Sequence, residues 1–363
     1  MIRRPLLLAS ALLAALGLSG CKEEPAAPQA TATPVVEHFQ WKMVTAWPKN
    51  YPGLGTAAER LAERVSAMSN GRLTIKVYAG GELVPPLEVF DAVSRGTAEL
   101  GHGAAYYWKG KVPAAQFFTA VPFGLSTSEM NAWLSKGGGQ ALWDEAYAPY
   151  GVKPMVVGNT GMQMGGWYNK EINSLDDLKG LKIRMPGLGG EVLSKLGATT
   201  VNLPGGEVFT ALQTNAIDAT DWVSPYNDLA FGLHKAAKFY YYPGWQEPQA
   251  VLELLVNQKA LDSLPADLQA ILTGAARAAS QDMLDDYVYH NAIALDELKQ
   301  QGTLLKRFPD DVLAAMQRES AVVLGELAAQ SELNGRIWAS MQAFQAQVSQ
   351  MHQLSEKELY NWR

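Results

Sequence analysis

The chain has 363 residues, of which 30 are basic and 36 are acidic, so its formal net charge at pH 7 is −6. This length is sufficient for two domains that each bury a hydrophobic core. Nucleic-acid binding depends on clustered lysine and arginine side chains, and the sequence has no such block, so a nucleic-acid partner is not expected. The hydrophobic share of 48% is typical of a globular protein rather than a membrane protein.

The first 37 residues are predicted to form a targeting segment and a tether that lie outside the fold. Two arginines precede a short apolar run, and the LSGC motif that follows it resembles a bacterial lipobox. This resemblance implies a signal peptide over residues 1–20 and a lipid attached to Cys21. A plain secretory signal is the alternative, but Cys21 is the only cysteine and occupies the cleavage position. Residues 21–37 are then a flexible tether that holds a periplasmic protein at the membrane.

Beyond residue 38, strand and helix patterns alternate along the chain. The first series predicts strands at 40–46, 73–78 and 99–105, with helices at 56–68 and 87–94. The second series predicts strands at 152–157, 181–185, 217–222 and 251–256, with helices at 191–196 and 207–213 and a capping-box start at Ser174. A long helix at 265–300, a strand at 303–308 and amphipathic helices over 310–350 complete the chain. This alternation predicts an α/β architecture with largely parallel sheets.

The order of these elements predicts two domains with a hinge between them. Residues 38–158 and 250–312 are assigned to domain I, residues 159–249 to domain II, and residues 313–363 to long C-terminal helices that brace both. Strands that enter and leave the second domain would form the hinge. A ligand would then bind in the cleft between the domains, where binding pockets often occur.

No catalytic constellation is present in the sequence. The glycines of residues 53–58 imitate a dinucleotide-binding fingerprint, but a long loop separates them from the preceding strand, and the next strand ends without an acid for the ribose. The five histidines have no metal-ligand spacing; they are His38, His102, His234, His290 and His352. The sequence therefore does not predict an enzyme.

Several short blocks carry a family resemblance. The segment SLDDLKGLKIRMPG, followed by GEVFTALQTNAIDATDW, resembles the solute-binding subunits of tripartite ATP-independent periplasmic (TRAP) transporters, and the resemblance covers about residues 38–350. The blocks GNTGMQMGGWYNKEI, DATDWVSPYND and YYYPGWQE resemble the branch that binds 2-oxo or 2-hydroxy monocarboxylates through a metal ion. The resemblance implies a two-domain, periplasmic-binding-protein-like receptor that closes over a small organic carboxylate and serves a membrane permease. It also implies frequent dimerisation through the C-terminal helices, whereas a lipid anchor is less usual in this family.

Arg184 and Gln163 are the first two candidate ligand contacts. Arg184 ends a strand within KIRMP, and its planar guanidinium can hold a carboxylate with two parallel hydrogen bonds. The alternative for Arg184 is a surface salt bridge. Gln163 lies between two methionines in a glycine-rich stretch, where its amide oxygen can coordinate a cation or bind a substrate oxygen. The alternative for Gln163 is a buried amide bonded to the backbone.

Asp221 and Glu247 are candidate metal ligands. Each ends a strand-like run beside a tryptophan, and two carboxylates alone would repel an anionic ligand. A hard cation between them reverses that electrostatic effect. The resemblance suggests Na⁺ or Ca²⁺ held by Gln163, Asp221, Glu247 and the backbone oxygen of Trp222. The alternative is that both acids are solvated strand ends.

Aromatic residues complete the predicted site. Trp222 and Trp245 are expected to wall off water and to offer an indole N–H that orients the ligand. One hydroxyl of Tyr106 or Tyr107, from the first domain, is expected to reach the ligand, and Asn159 is a weaker candidate of the same kind.

The leading functional hypothesis is a TRAP receptor for a 2-oxo or 2-hydroxy monocarboxylate. A metal-dependent lyase or aldolase acting on 2-oxo acids is an alternative, but it lacks a general base beyond the metal carboxylates. A receptor subunit that feeds a sensor is the other alternative.

Overall fold

The computed structural model describes residues 37–363, which form one compact unit. The predicted signal peptide, the tether up to residue 36 and the lipidation residue Cys21 lie outside the described residues. Within residues 37–363, every helix is too short or too polar to cross a bilayer.

The described chain contains eleven strands. In chain order they are β1 (Phe39–Thr45), β2 (Leu73–Tyr78), β3 (Leu100–Gly103), β4 (Val152–Asn159), β5 (Gly166–Tyr168), β6 (Lys182–Arg184), β7 (Thr199–Val201), β8 (Ala219–Thr220), β9 (Phe239–Tyr242), β10 (Val251–Asn257) and β11 (Leu304–Arg307).

Twelve α-helices accompany these strands over residues 37–363. They are α1 (Leu54–Met68), α2 (Val89–Ser94), α3 (Thr127–Lys136), α4 (Gly139–Tyr147), α5 (Gly187–Lys195), α6 (Gly205–Gln213), α7 (Pro225–Phe231), α8 (Gln258–Ser263), α9 (Ala266–Gln300), α10 (Asp310–Ala329), α11 (Glu332–Leu354) and α12 (Glu356–Tyr360).

The strands form two sheets, which confirms the predicted α/β class. The first sheet has the order β2-β1-β3-β10-β4, and the second has the order β11-β9-β5-β8-β6-β7. Strand β10 reads VLELLV and is buried along almost its whole length, as expected for a strand covered on both faces. The first sheet packs against apolar residues of α1 and α9, among them Leu61, Val65, Leu268 and Leu272.

The structure corrects two details of the sequence-based description. The sheets are mixed rather than largely parallel, because β10 runs antiparallel to β3 and β4, and β5 runs antiparallel to β8 and β9. Strand β11 lies in the range 250–312 assigned to domain I, but it pairs with β9 of the second sheet, with Leu304 opposite Phe239. Both differences arise from pairing between distant strands, which local periodicity does not encode.

The long helices contact elements of both sheets. Helix α9 packs on β4 of the first sheet and on helix α1. It also packs on α7, the helix that follows β8 of the second sheet. Helix α10 packs on α5, whereas α11 packs on α3 and α4. These helices therefore brace both halves of the fold. The exact domain boundaries proposed from the sequence stay a prediction.

Candidate functional site

A small cavity lies where segments of the two sheets meet. Its volume is about 10 Å³, which is room for about one water molecule. A ligand of several heavy atoms therefore enters only if the walls move apart. The lining residues come from both halves of the fold; they are Trp47, Leu54, Tyr106, Tyr107, Thr160, Gln163, Trp222, Val223, Ala250 and Leu252.

Arg184 is buried beside this cavity at the end of β6. Its side chain is held from three directions, because Nη1 donates to the backbone oxygen of Asp221 at 2.9 Å and Nε to that of Leu203 at 3.3 Å, while Nη2 donates to the Tyr107 hydroxyl at 3.3 Å. The guanidinium carbon also lies 5.1 Å from the centre of the Trp222 ring. The residue is 1% exposed, so the surface salt bridge considered as an alternative does not describe it.

The hydrogen bonds of Arg184 leave part of its donor capacity free. A guanidinium carries five N–H groups, with one on Nε and two on each Nη. One N–H on each Nη has no acceptor among residues 37–363. A guanidinium with a free N–H on each terminal nitrogen can hold a carboxylate with two parallel hydrogen bonds. The geometry therefore supports the predicted role of Arg184 as a carboxylate clamp.

Tyr106 and Tyr107 lie on a 3₁₀ turn, Ala105–Trp108, that follows β3 of the first sheet. Tyr107 accepts the hydrogen bond from Arg184, and Tyr106 packs on Gly187 at the start of α5. Gly187 has φ of +62°, and a Cβ there would stand 3.2 Å from the Cβ of Tyr106. Burial raises the pKa of both tyrosines, so both hydroxyls are neutral near pH 7. The two tyrosines thus connect the segment after β3 of the first sheet with Arg184 and with α5.

Asp221 and Glu247 are buried rather than solvated. Asp221 is 0% exposed and Glu247 is 3% exposed. Burial raises the pKa of Asp221 to about 7, against the opposing effect of the Arg184 charge. Burial, and next the charge of Asp221, raise the pKa of Glu247 well above its ordinary value. Two such carboxylates are costly to ionise together without a positive charge between them.

Gln246 is a further polar residue of this region that the sequence reasoning did not single out. Its amide nitrogen donates to Oδ1 of Asp221 at 3.0 Å and to the backbone oxygen of Met164 at 2.8 Å. Gly189 on the first turn of α5 makes room for it, because a Cβ there would lie 2.7 Å from the Cβ of Gln246. Its position directly before Glu247 was the only signal in the sequence.

Several buried polar atoms of the predicted site lack a hydrogen-bond partner. The buried side-chain atoms without a partner among the described residues include four oxygens of this region, Gln163 Oε1, Asp221 Oδ2, Gln246 Oε1 and Glu247 Oε2. Buried acceptors without a donor are costly, and a hard cation such as Na⁺ or Ca²⁺ satisfies oxygens of this kind. Residues 37–363 contain no cluster of three or more His, Cys, Asp or Glu side chains placed to hold a metal ion.

The tryptophans differ from the prediction in one respect. The indole nitrogen of Trp222 donates to the Tyr51 hydroxyl at 2.8 Å, so this N–H is not the donor that orients a ligand. The Tyr51 hydroxyl in turn donates to the backbone oxygen of Asn227 at 2.7 Å. The indole nitrogen of Trp245 is buried and has no acceptor within residues 37–363. Trp222 still forms a wall of the cavity, as predicted for its ring.

Asn159 is not among the residues that line the cavity. Its amide nitrogen donates to Oε1 of Gln249 at 3.0 Å, and its Oδ1 accepts from the backbone nitrogen of Gly161 at 2.9 Å. These bonds shape the turn after β4. Arg184, Asp221 and Glu247 are likewise not among the lining residues, and a ligand contact of Asn159 stays a prediction.

Known proteins are similar to this chain in sequence and in fold. The profile of the bacterial extracellular solute-binding proteins of family 7 matches residues 43–331. A monocarboxylate 2-oxoacid-binding periplasmic protein of Nostoc sp. is 45% identical over 327 residues, which are 90% of this chain and 89% of the relative.

Two solved structures are also similar. One is a TRAP periplasmic solute-binding protein of Pseudoalteromonas atlantica with bound sodium and pyruvate, which is 43% identical with a TM-score of 0.87 over 90% of this chain and 99% of that chain. The other is from Colwellia psychrerythraea, with bound calcium and pyruvate, and is 43% identical with a TM-score of 0.88 over 90% of this chain and 100% of that chain. Because the family profile spans most of the residues and the shared fold extends over nearly all of the solved chains, this protein belongs to family 7 of the bacterial extracellular solute-binding proteins, as a periplasmic TRAP solute-binding protein rather than an enzyme.

Proposed function

We propose that this protein captures a small 2-oxo or 2-hydroxy monocarboxylate, such as pyruvate or lactate, together with Na⁺ or Ca²⁺ and delivers it to a TRAP permease. The observation that carries the proposal is that a buried arginine with two free N–H groups occurs together with buried oxygens that have no hydrogen-bond partner in the described chain. The first arrangement suits a carboxylate, and the second suits a cation. Relatives that bind pyruvate with sodium or calcium support the same assignment.

The carboxylate of the ligand is assigned to Arg184. The guanidinium is fixed by Leu203, Asp221 and Tyr107, so little side-chain entropy is lost when its two remaining N–H groups bind the ligand. The neutral hydroxyls of Tyr106 and Tyr107 close the same end of the cavity.

The cation is assigned to the oxygens of Gln163, Asp221 and Glu247 and to the backbone oxygen of Trp222. Gln246 Oε1 is an additional candidate ligand of the cation, because it too is buried without a hydrogen-bond partner in the described chain. When bound, the cation supplies the positive charge that lets an anionic ligand approach two carboxylates. Gln246 itself holds Asp221 in place through the 3.0 Å hydrogen bond.

The walls of the cavity favour a short ligand. Leu54, Val223, Ala250 and Leu252 provide apolar surface, and the enclosed space is small. Each methylene added to the ligand requires the walls to move further apart. We expect acids of three or four carbons to bind more tightly than longer ones.

The ligand-side test compares pyruvate and lactate with propionate, which has the carboxylate and a similar size but no oxygen at carbon 2. Isothermal titration calorimetry in the presence of Ca²⁺ should show propionate binding at least about 100-fold more weakly, because the cation loses one ligand oxygen in a buried site. Equal affinity for propionate and pyruvate would show that no cation bridges the carboxylate and the oxygen at carbon 2. Uptake of labelled pyruvate by vesicles containing the cognate permease, with and without this protein, tests delivery.

We further propose that the mature chain is lipid-anchored through Cys21. The support is the LSGC motif at the end of the N-terminal apolar run, with the only cysteine of the chain. Expression of the full chain should place the wild type in the membrane fraction and Cys21→Ser in the soluble periplasmic fraction. Release of the wild type by osmotic shock alone would contradict the anchor.

We also propose that two copies associate through the C-terminal helices. Large apolar side chains are exposed near the end of the chain, including Leu354, Tyr360 and Trp362. Exposed apolar clusters of this kind mark interaction surfaces. Sedimentation equilibrium of the described segment should give a dimer that Leu354→Glu with Trp362→Glu converts to a monomer, and a monomeric wild type would contradict this proposal.

A further inference from the structure

We infer that the hydroxyl of Thr160 fixes the orientation of the Gln163 side-chain amide, so that its oxygen rather than its nitrogen is presented to the ligand. Thr160 is thus a positioning residue that acts through Gln163. The inference rests on the proposed function, in which Gln163 supplies an oxygen to the cation.

The hydrogen-bond capacity of Thr160 carries the argument. A threonine hydroxyl has one hydrogen to donate and two acceptor positions. Thr160 Oγ1 donates its hydrogen to the backbone oxygen of Gly161 at 3.0 Å and accepts from the backbone nitrogen of Ala250 at 3.2 Å. The only remaining capacity is one acceptor position, and the Gln163 amide nitrogen lies 3.2 Å from it.

This arrangement makes the two orientations of the Gln163 amide unequal. In the observed orientation, the amide nitrogen donates to Thr160 and Oε1 is left free of protein donors within the described chain. In the flipped orientation, Oε1 would face the hydroxyl oxygen, which could donate to it only by giving up the hydrogen bond to the Gly161 backbone oxygen. Thr160 is 1% exposed and Gln163 is 3% exposed, so solvent does not replace the lost bond. The flipped amide would also present N–H groups to a cation.

The backbone around Thr160 holds its hydroxyl in a fixed position. It follows β4 directly, and Ala250 directly precedes β10, so the two residues lie on the two segments that connect the sheets. Their backbones are also joined, because the Thr160 nitrogen donates to the Ala250 oxygen at 3.0 Å. Both connecting segments therefore fix the position of the hydroxyl, and its hydrogen bond to the Gln163 amide nitrogen fixes the orientation of that amide.

Two substitutions distinguish the effect of the Thr160 hydroxyl from the effect of the rest of the side chain. Thr160→Val removes the hydroxyl at nearly constant size, and Thr160→Ser keeps it. We expect Thr160→Val to weaken cation-dependent pyruvate binding by roughly 10-fold or more, because the amide is no longer held in one orientation. Thr160→Ser should retain an affinity within about threefold of the wild type, because it keeps the hydroxyl and loses only one methyl group. Thr160→Ala removes the hydroxyl as well and replaces the valine variant if that variant does not fold.

The control and a double-variant cycle distinguish positioning from stability. Ser69→Ala removes another buried hydroxyl, one that accepts from the backbone nitrogen of Leu73 at 3.1 Å, far from the cavity, and should lower the melting temperature without changing the affinity. In a Gln163→Leu background, Thr160→Val should cause no further loss of affinity, because no amide remains to be oriented.

The possible outcomes distinguish a failure of the amide-orientation inference from a failure of the proposed function. If Thr160→Ser loses as much affinity as Thr160→Val, or if the loss persists undiminished in the Gln163→Leu background, the orientation argument is overturned while the receptor function stands. If the wild type binds pyruvate without any cation, the proposed metal function itself fails, and the inference fails with it.

Discussion

Replacement of Arg184 by lysine tests the anion clamp most severely, because it keeps the charge and removes the geometry. In the wild type, the guanidinium donates to Leu203, Asp221 and Tyr107, and its two N–H groups without an acceptor in the described chain are those that the proposal assigns to the ligand. A lysine ammonium has three donors on one atom and a shorter reach. It cannot satisfy the three protein acceptors and also bind a carboxylate with two parallel bonds.

The expected magnitude follows from these contacts. A hydrogen bond to a charged group contributes about 1.5–3 kcal/mol, and Arg184→Lys loses at least one such bond to the ligand. The two backbone oxygens, of Leu203 and Asp221, are left without a strong donor in a buried region, which further disfavours the bound geometry. We therefore expect a loss of about 3 kcal/mol in binding free energy, which is a weakening of about 100-fold in Kd.

The assay is calorimetric titration with pyruvate at saturating Ca²⁺, on protein that has been unfolded and refolded to remove bound ligand. Arg277→Lys, on an exposed position of α9, is the matched control and should bind as the wild type does. An Arg184→Lys variant that folds and binds pyruvate within threefold of the wild type would refute the assignment of the carboxylate to Arg184.

Three further predictions follow from other parts of the site. Because burial raises the pKa of Asp221 to about 7, its protonation stabilises the cation-free fold fully at low pH, and this stability is lost as pH rises through 7; urea denaturation should show a decrease from pH 5 to pH 7 that is about 2 kcal/mol smaller in Asp221→Asn than in the wild type, since buried Asp228, whose pKa is also raised to about 7, keeps its own contribution. The half-exposed ion pair of Lys109 and Glu191, at 2.6 Å, joins the tyrosine-bearing segment to α5; reversing either charge should weaken pyruvate binding severalfold, and reversing both should restore it. Tyr51→Phe leaves the Trp222 N–H buried without its acceptor and should lower the free energy of unfolding by about 1–3 kcal/mol, measured by urea denaturation.

Each of these predictions has a control. Asp218→Asn, at a more exposed carboxylate, is the control for the first prediction, which a pH slope as steep in Asp221→Asn as in the wild type would contradict. Charge reversal of the Lys195–Glu326 pair, which joins α5 to α10, should leave pyruvate affinity unchanged. If the Lys109 and Glu191 reversals do not compensate one another, the ion pair does not act between them. An unchanged unfolding free energy for Tyr51→Phe would mean that Trp222 finds another acceptor.

The sequence was informative where function depends on a residue at the end of an element. Arg184 at the end of β6 and Asp221 directly after β8 were singled out by strand-end positions, and the structure places both beside the cavity. Strand β10 and helix α9 were also anticipated closely, because long apolar or periodic runs have a local signature.

The sequence was uninformative where the geometry depends on partners far along the chain. The Trp222 indole was expected to face the ligand, but its donor is taken by Tyr51, which lies 171 positions away. The orientation of the Gln163 amide depends on Thr160 and on Ala250, whose nitrogen occupies a second position on the same hydroxyl. The pairing of β11 with β9 has the same origin, because two short strands with no distinctive pattern meet only in the folded chain.

The most direct test of the account is calorimetric titration of residues 38–363 with pyruvate before and after exhaustive chelation, and again after Na⁺ or Ca²⁺ is restored. The account predicts that chelation abolishes binding and that one of these cations restores it. The same restoration should fail for Asp221→Asn combined with Glu247→Gln. Binding of pyruvate that persists at full strength without any cation would contradict the central claim that buried oxygens and a cation together hold the ligand.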